Sequence, residues 1–159
     1  MSGASILLIE DDLNVYHGIQ RKLRAFDYEI LYAPDAVASI SQARQHHPDL
    51  ILLDLGLPAG DGFVVIERLK QFPELSVIPI VVLSGRDRSA NEMRAMRAGA
   101  TAFLQKPVGG DLLIETIRRC LQKRERREAR ATYSVGPTSE KLAASEMAVD
   151  EMEIPVYGR

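Results

Sequence analysis

The chain has 159 residues, enough for one domain and an extension, with 46% apolar residues, 26% charged residues and a formal net charge of −2. This balance, with a pI of about 5.9, argues against a chain built as a whole to hold nucleic acid. The longest apolar runs, such as Ser5–Ile9 and Ile78–Leu83, are strand-sized and fall far short of the ~20 residues of a membrane-crossing helix.

The start, Met1-Ser2-Gly3-Ala4, lacks the basic and apolar stretches of a signal peptide. Ser5-Ile6-Leu7-Leu8-Ile9 reads as a buried strand that breaks at Glu10-Asp11-Asp12. Val15, Ile19, Leu23 and Phe26 then recur at helical spacing and predict the first helix. A short strand follows at Glu29–Tyr32. Pro34-Asp35 opens a second helix, with Asp35 placed to cap its free N–H groups. That helix ends before His46-His47-Pro48, since proline restricts the residue ahead of it. Leu50-Ile51-Leu52-Leu53 is the third strand and ends on Asp54.

Gly56, Pro58, Gly60 and Gly62 mark the next loop, and a helix over about Phe63–Gln71 leads to Pro73. Ile80-Val81-Val82-Leu83 is the fourth strand, ending at Ser84-Gly85. The fourth helix spans about Ser89–Ala98, with Gly99 suited to its stop. Ala102-Phe103-Leu104-Gln105 is the fifth strand, ending at Lys106-Pro107. The fifth helix opens near Asp111 and buries Leu112, Leu113 and Ile117. Strict strand–helix alternation implies an α/β fold, a parallel sheet covered on both faces. Lys123–Arg130 is charged and reads as a continuation of the fifth helix. Gly136-Pro137 ends any helix, and Thr138–Arg159 is acidic with scattered apolar residues.

In an open parallel sheet, ligands bind beyond the carboxyl ends of the strands. The residues there are Glu10, Asp11 and Asp12, then Asp54, Ser84 and Lys106. Carboxylates gathered on one rim repel one another unless a cation joins them, and hard oxygen ligands suit magnesium. A lysine and a hydroxyl opposite would hold phosphoryl oxygens. The set reads as a phosphoryl-transfer centre with a carboxylate nucleophile.

These residues resemble the receiver family of two-component response regulators. The resemblance rests on Glu10-Asp11, the run Pro48–Asp54 and the loop Leu57-Pro58-Ala59-Gly60-Asp61-Gly62. It also rests on Leu83-Ser84-Gly85, Ala98-Gly99-Ala100 and Lys106-Pro107. It covers about Ile6 to Leu121 and implies a doubly wound five-stranded parallel sheet, order 2-1-3-4-5, the flavodoxin-like receiver fold. Residues 1–121 would be the receiver domain. Residues 122–159 would be a charged helical extension and acidic tail, with no output domain.

The resemblance also implies roles. Asp54 is the phosphoacceptor. Asp11, Asp54 and the Gly56 carbonyl ligate Mg2+, with Glu10 close by. Ser84 hydrogen-bonds the phosphoryl group, Lys106 pairs with Asp54 or its phosphate, and the bond to Pro107 is cis. Ser84 and Phe103 form the switch that alters the face of the fourth helix, fifth strand and fifth helix. The chain would be a phosphoacceptor that labels itself from small donors and loses the group slowly, not an enzyme that turns over. Its donor would be a histidine kinase or histidine phosphotransfer protein, and its output a downstream protein target or a phosphorelay.

The donor would dock on Asn14, Val15, Gly18 and Arg21, with Pro107 and Val108. A cytoplasmic setting fits the lone Cys120, which reads as a small core residue. DNA contact is not expected: the basic stretch Arg118–Arg130 is interleaved with Glu125 and Glu128 and reads as a solvated helix. Phe103 lacks the hydroxyl of the family's usual tyrosine. Thr101-Ala102 stands where DNA-binding members often carry acids, which leaves room only for a weak homodimer. Asp12 reads as a helix-start acid, and His17, His46 and His47 show no metal-ligand spacing.

Two other readings stand beside this one. One is a receiver-like binding module that works without phosphorylation. The other is an aspartate-nucleophile phosphohydrolase, which the order Glu10-Asp11-Asp12 fits poorly. A last expectation is that Arg94, Arg97 and Arg118 form a basic surface, against which Glu146, Asp150, Glu151 and Glu153 lie in one state of the switch.

Overall fold

The computed structural model describes residues 3–58 and 62–134. The expectations for the acidic tail and for Ala59-Gly60-Asp61 lie outside the described residues. Two units divide the chain, Met1–Arg124 and Glu125–Arg159. In the second, residues 125–134 are helical and every one is exposed.

The first unit alternates strand and helix: β1 (Ser5–Ile9), α1 (Leu13–Arg24), β2 (Glu29–Ala33), α2 (Ala36–His46) and β3 (Leu50–Asp54). After α3 (Gly62–Gln71) comes a short helix, α4 (Pro73–Ser76), then β4 (Ile80–Ser84), α5 (Arg88–Ala98), β5 (Ala102–Gln105) and α6 (Gly110–Ser134). The four-residue α4 is absent from the sequence reading, which took Pro73 only as a stop. Proline is tolerated in a first turn because its missing N–H has no intrahelical partner there anyway. The expected fourth and fifth helices are therefore α5 and α6.

The five strands form one parallel sheet in the order β2-β1-β3-β4-β5. Successive side chains on a strand point to opposite faces, so continuous apolar runs feed two cores. Leu7, Ile9, Ile51, Leu53, Ile80 and Val82 pack with α2, α3 and α5 residues. Ile6, Leu8, Leu50, Leu52, Val81 and Leu83 pack with Leu23 of α1 and with Leu113, Ile114 and Ile117 of α6. Each such buried aliphatic side chain contributes about 1.5–3 kcal/mol relative to an exposed one. Cys120 belongs to the second core, and burial pushes its thiol up from the ordinary range, as expected of an inert core residue.

Two apolar expectations fail. Leu112 is 49% exposed, because around α6 it lies outside the arc of the buried positions 113, 114 and 117. Phe26 falls beyond the end of α1 and is 44% exposed, its ring covered by the Arg118 guanidinium at 5.3 Å.

Gly99 ends α5 in the left-handed region, φ 117°, where a side chain is strained. At Gly62 the demand is close approach. A Cβ there would lie 2.7 Å from the Leu55 Cα and 3.0 Å from the Asp54 carbonyl oxygen. Both are backbone atoms at the end of β3, so α3 starts against the strand that carries Asp54. Gly62→Val is expected to lose about 2–3 kcal/mol of stability by overpacking, read as a lower urea midpoint at unchanged slope.

Candidate functional site

Parallel pairing brings every strand's carboxyl end to one rim of the sheet. Glu10 follows β1 and is 1% exposed, its backbone N–H donating to the Ala33 carbonyl at 3.1 Å. Its Oε1 accepts the Asp12 N–H at 3.1 Å, and its Oε2 accepts from Lys106 Nζ at 3.0 Å. Asp54, the last residue of β3, is 8% exposed. The Gly56 N–H donates to its Oδ1 at 3.0 Å, and its Oδ2 lies 3.5 Å from Lys106 Nζ. Lys106 follows β5 and is held in register by its N–H, which donates to the Ser84 carbonyl at 2.8 Å.

The electrostatics follow from burial and unequal charge. Burial, and then the charge of Asp54, raise the Glu10 carboxyl above its ordinary range, although the hydrogen bonds from Lys106 and the Asp12 N–H pull it down. Burial works against the Lys106 ammonium, but the Glu10 hydrogen bond and the Asp54 charge outweigh it and raise the lysine. Glu10 stays raised beside its own partner because burial, with the Asp54 charge, outweighs what the Lys106 and Asp12 hydrogen bonds take back. Glu10, exposed Asp11 and Asp54 each offer an oxygen, and these oxygens lie within 4.8 Å of one another. A divalent cation with oxygen preference fits that donor set and that surplus of negative charge.

The other expected site residues are placed as follows. Ser84 ends β4, 1% exposed, and its Oγ accepts the Arg86 N–H at 3.1 Å. The Lys106–Pro107 bond is cis. Phe103 is 6% exposed, turned into the core shared with α3 and α5. Asp12 caps α1, its Oδ1 accepting from Asn14 N–H at 2.8 Å and Val15 N–H at 3.3 Å, and so spends itself on the helix.

Two of the three arginines expected on one basic surface turn to different elements: the Arg94 guanidinium lies over Phe63 of α3 at 3.8 Å, and Arg118 over Phe26 beside α1 at 5.3 Å. At exposed sites a cation–π contact is worth about 0.5–1 kcal/mol, enough to bias each guanidinium toward its ring. One neighbour of the site was missed. The Tyr32 ring of β2 packs tilted against Tyr16, centroids 4.1 Å apart, and burial together with the charges of Glu10 and Asp11 raises its hydroxyl. Its position at the end of a strand was the available signal.

No helix among the described residues is long and apolar enough to cross a membrane. Residues 6–118 match the response regulator receiver domain family. The response regulator PleD of Caulobacter vibrioides is 33% identical over 115 residues, 72% of this chain but 25% of PleD, so the chain spans about a quarter of that relative's length. The polar-differentiation response regulator DivK of Brucella ovis is 32% identical over 114 residues, 72% of this chain and 93% of DivK.

A CheY-like receiver domain protein from Methanospirillum hungatei has a similar fold, with a TM-score of 0.73 at 24% identity, over 78% of this chain and 98% of that one. The receiver domain of the sensor histidine kinase PA1611 from Pseudomonas aeruginosa, solved with magnesium coordinated in its active-site cleft, has a TM-score of 0.71 at 25% identity. It covers 76% of this chain and 98% of its own. The sheet order, the acidic rim and these likenesses agree: the chain belongs to the response-regulator receiver domain family of two-component signal transduction.

Proposed function

We propose that Asp54 accepts a phosphoryl group from a phosphohistidine donor, and that the protein signals through the change this makes at its surface. The observation that carries the reading is the setting of the Asp54 carboxylate. It stands at the rim with Oδ1 held by the Gly56 N–H and Oδ2 beside Lys106, among Glu10 and Asp11. An Asp54 oxygen attacks phosphorus, a P–O bond forms, the P–N bond of the donor breaks, and the imidazole nitrogen keeps the electron pair and takes a proton from solvent. The product is an acyl phosphate.

Lys106 neutralises charge on the phosphoryl oxygens, and Ser84 offers its hydroxyl to one of them. Glu10, Asp11 and Asp54, with the Gly56 carbonyl, would hold Mg2+, and a bound dication supplies neutralisation of the transferring group. A Cβ at Gly56 would sit 3.5 Å from both Asp54 oxygens, so the glycine leaves that side open to donor and to water. The group is taken up once per chain and lost by its own slow hydrolysis, which the open side at Gly56 eases, without turnover of a substrate pool. Phe103, paired with Val82 two residues before Ser84 in the neighbouring strand, would relay the change to the α5–β5–α6 face and a protein target.

Acetyl phosphate with magnesium tests the reading: mass spectrometry should find one added phosphoryl group, labile to hydroxylamine as an acyl phosphate is. A chain that stays unlabelled, or a label stable to hydroxylamine, defeats it.

The donor side of the proposal places a histidine kinase or phosphotransfer protein on α1 and the loop after β5, around Asn14, Val15, Gly18, Arg21, Pro107 and Val108. In-line transfer needs the donor imidazole within a few ångströms of Asp54. Nothing lies within 4 Å of a Cβ built at Gly18, so Gly18→Trp adds bulk to the helix without a clash in the fold. It is expected to slow transfer from the kinase by at least about tenfold, roughly 1.4 kcal/mol, while labelling by acetyl phosphate is unchanged. Parallel loss of both reactions would put the lesion in the pocket.

A further inference from the structure

Gln105 ends β5 directly opposite Ser84 in the β4–β5 ladder. Its side-chain Nε2 donates to the Arg86 carbonyl at 3.0 Å. On its other side, the same Arg86 residue donates its N–H to Ser84 Oγ at 3.1 Å, a local turn of the kind serine favours. The Ser84–Gly85–Arg86 turn is thus closed from within by the Ser84 hydroxyl oxygen and held from outside by the Gln105 amide.

Chemistry orients that amide. A carbonyl only accepts, so the NH2 end must face Arg86. The Gln105 Oε1 is then left inside, a buried oxygen without a hydrogen-bond partner among the described residues. A buried acceptor left without a donor weighs against the arrangement that buries it. Release of the turn loses one Nε2–carbonyl bond but lets the amide reorient and its oxygen find a donor. The orphaned oxygen therefore lowers the net hold of the amide on the turn.

We propose that Gln105 is a positioning residue for Ser84. Its amide latches the Ser84–Arg86 turn in the resting state, and its orphaned oxygen keeps the latch weak enough to open when a phosphoryl group draws the Ser84 hydroxyl away. This deepens the phosphoacceptor reading and rests on it. Gln105 sets the balance between two arrangements of the turn and has no contact with the reacting atoms, so it acts by population shift.

Gln105→Met keeps the length of the side chain, cannot donate to Arg86 and buries no amide oxygen. In the resting protein, the Arg86 N–H should exchange about fivefold faster, the equivalent of one hydrogen bond of net worth ~1 kcal/mol. Beryllofluoride with magnesium, measured by calorimetry, should bind about fivefold tighter, because less is spent on opening the turn. In a Ser84→Ala background the same Gln105→Met change should leave beryllofluoride affinity unaltered, since no hydroxyl is left to release. A purely structural role for Gln105 would not depend on Ser84.

Wild-type exchange at Arg86 in Gln105→Met overturns the latch in a measurement that involves no phosphoryl chemistry. An unchanged or weaker beryllofluoride affinity overturns it too, as does a gain that persists in Ser84→Ala. A wild-type chain that binds no beryllofluoride, while Arg86 exchange accelerates as expected, instead overturns the phosphoacceptor reading and with it the latch's part in a switch.

Discussion

In Asp54→Asn, labelling by acetyl phosphate and magnesium is expected to fall to the background of the unmodified chain. On the proposed reading the nucleophile is lost outright: an amide oxygen carries no charge to offer phosphorus, and no other acid has the same neighbours. Glu10 is buried and committed to Lys106 Nζ and the Asp12 N–H, and Asp12 is committed to the first turn of α1. The fold should stand. Asparagine keeps an oxygen for the Gly56 N–H, and removal of one acid from a cluster of three against a single ammonium relieves repulsion. Stability within about 1 kcal/mol of the wild type is the expected companion result, read from urea midpoints. Label that survives in the folded variant would move the acceptor to another residue.

Asp11→Ala should weaken magnesium binding by at least about tenfold and suppress phosphorylation at physiological magnesium, since the ion takes few protein ligands and a carboxylate is among them. Asp11 suits this test because it is the exposed member of the acidic cluster and its side chain makes no hydrogen bond or ion pair among the described residues. Its loss therefore reports on the ion and not on packing. Titration calorimetry with magnesium reads the affinity directly. An affinity equal to the wild type in Asp11→Ala would leave Glu10 and Asp54 as the only acids of the cluster to hold the ion.

Much of this protein was legible in order and pattern. Strand-length apolar runs such as Ser5–Ile9 and Leu50–Leu53, alternating with helical periodicity, are dictated by the need to bury both faces of a parallel sheet, and the order β2-β1-β3-β4-β5 came from the family resemblance. The capping acids Asp12 and Asp35 were readable because a helix start needs local acceptors for its free N–H groups. Glu10, Asp54, Ser84 and Lys106 were readable because each directly follows or ends a strand, and strand ends are where such sheets carry their chemistry.

What the sequence could not decide are relations between distant groups. That Lys106 spends its shortest contact on Glu10 rather than Asp54 depends on which carboxylate is the more buried and better placed. That Arg94 and Arg118 leave the expected basic face depends on aromatic rings, Phe63 and Phe26, contributed by other elements. Leu112 turns outward because α6 has one buried face and its neighbours Leu113 and Ile114 occupy it. The Gln105 amide meets the Arg86 carbonyl, 19 residues away, only because β4 and β5 pair in one register. Local propensity and period are properties of a short stretch of chain. Side-chain partnership is settled by competition among groups that only the packed sheet and its helices bring within reach.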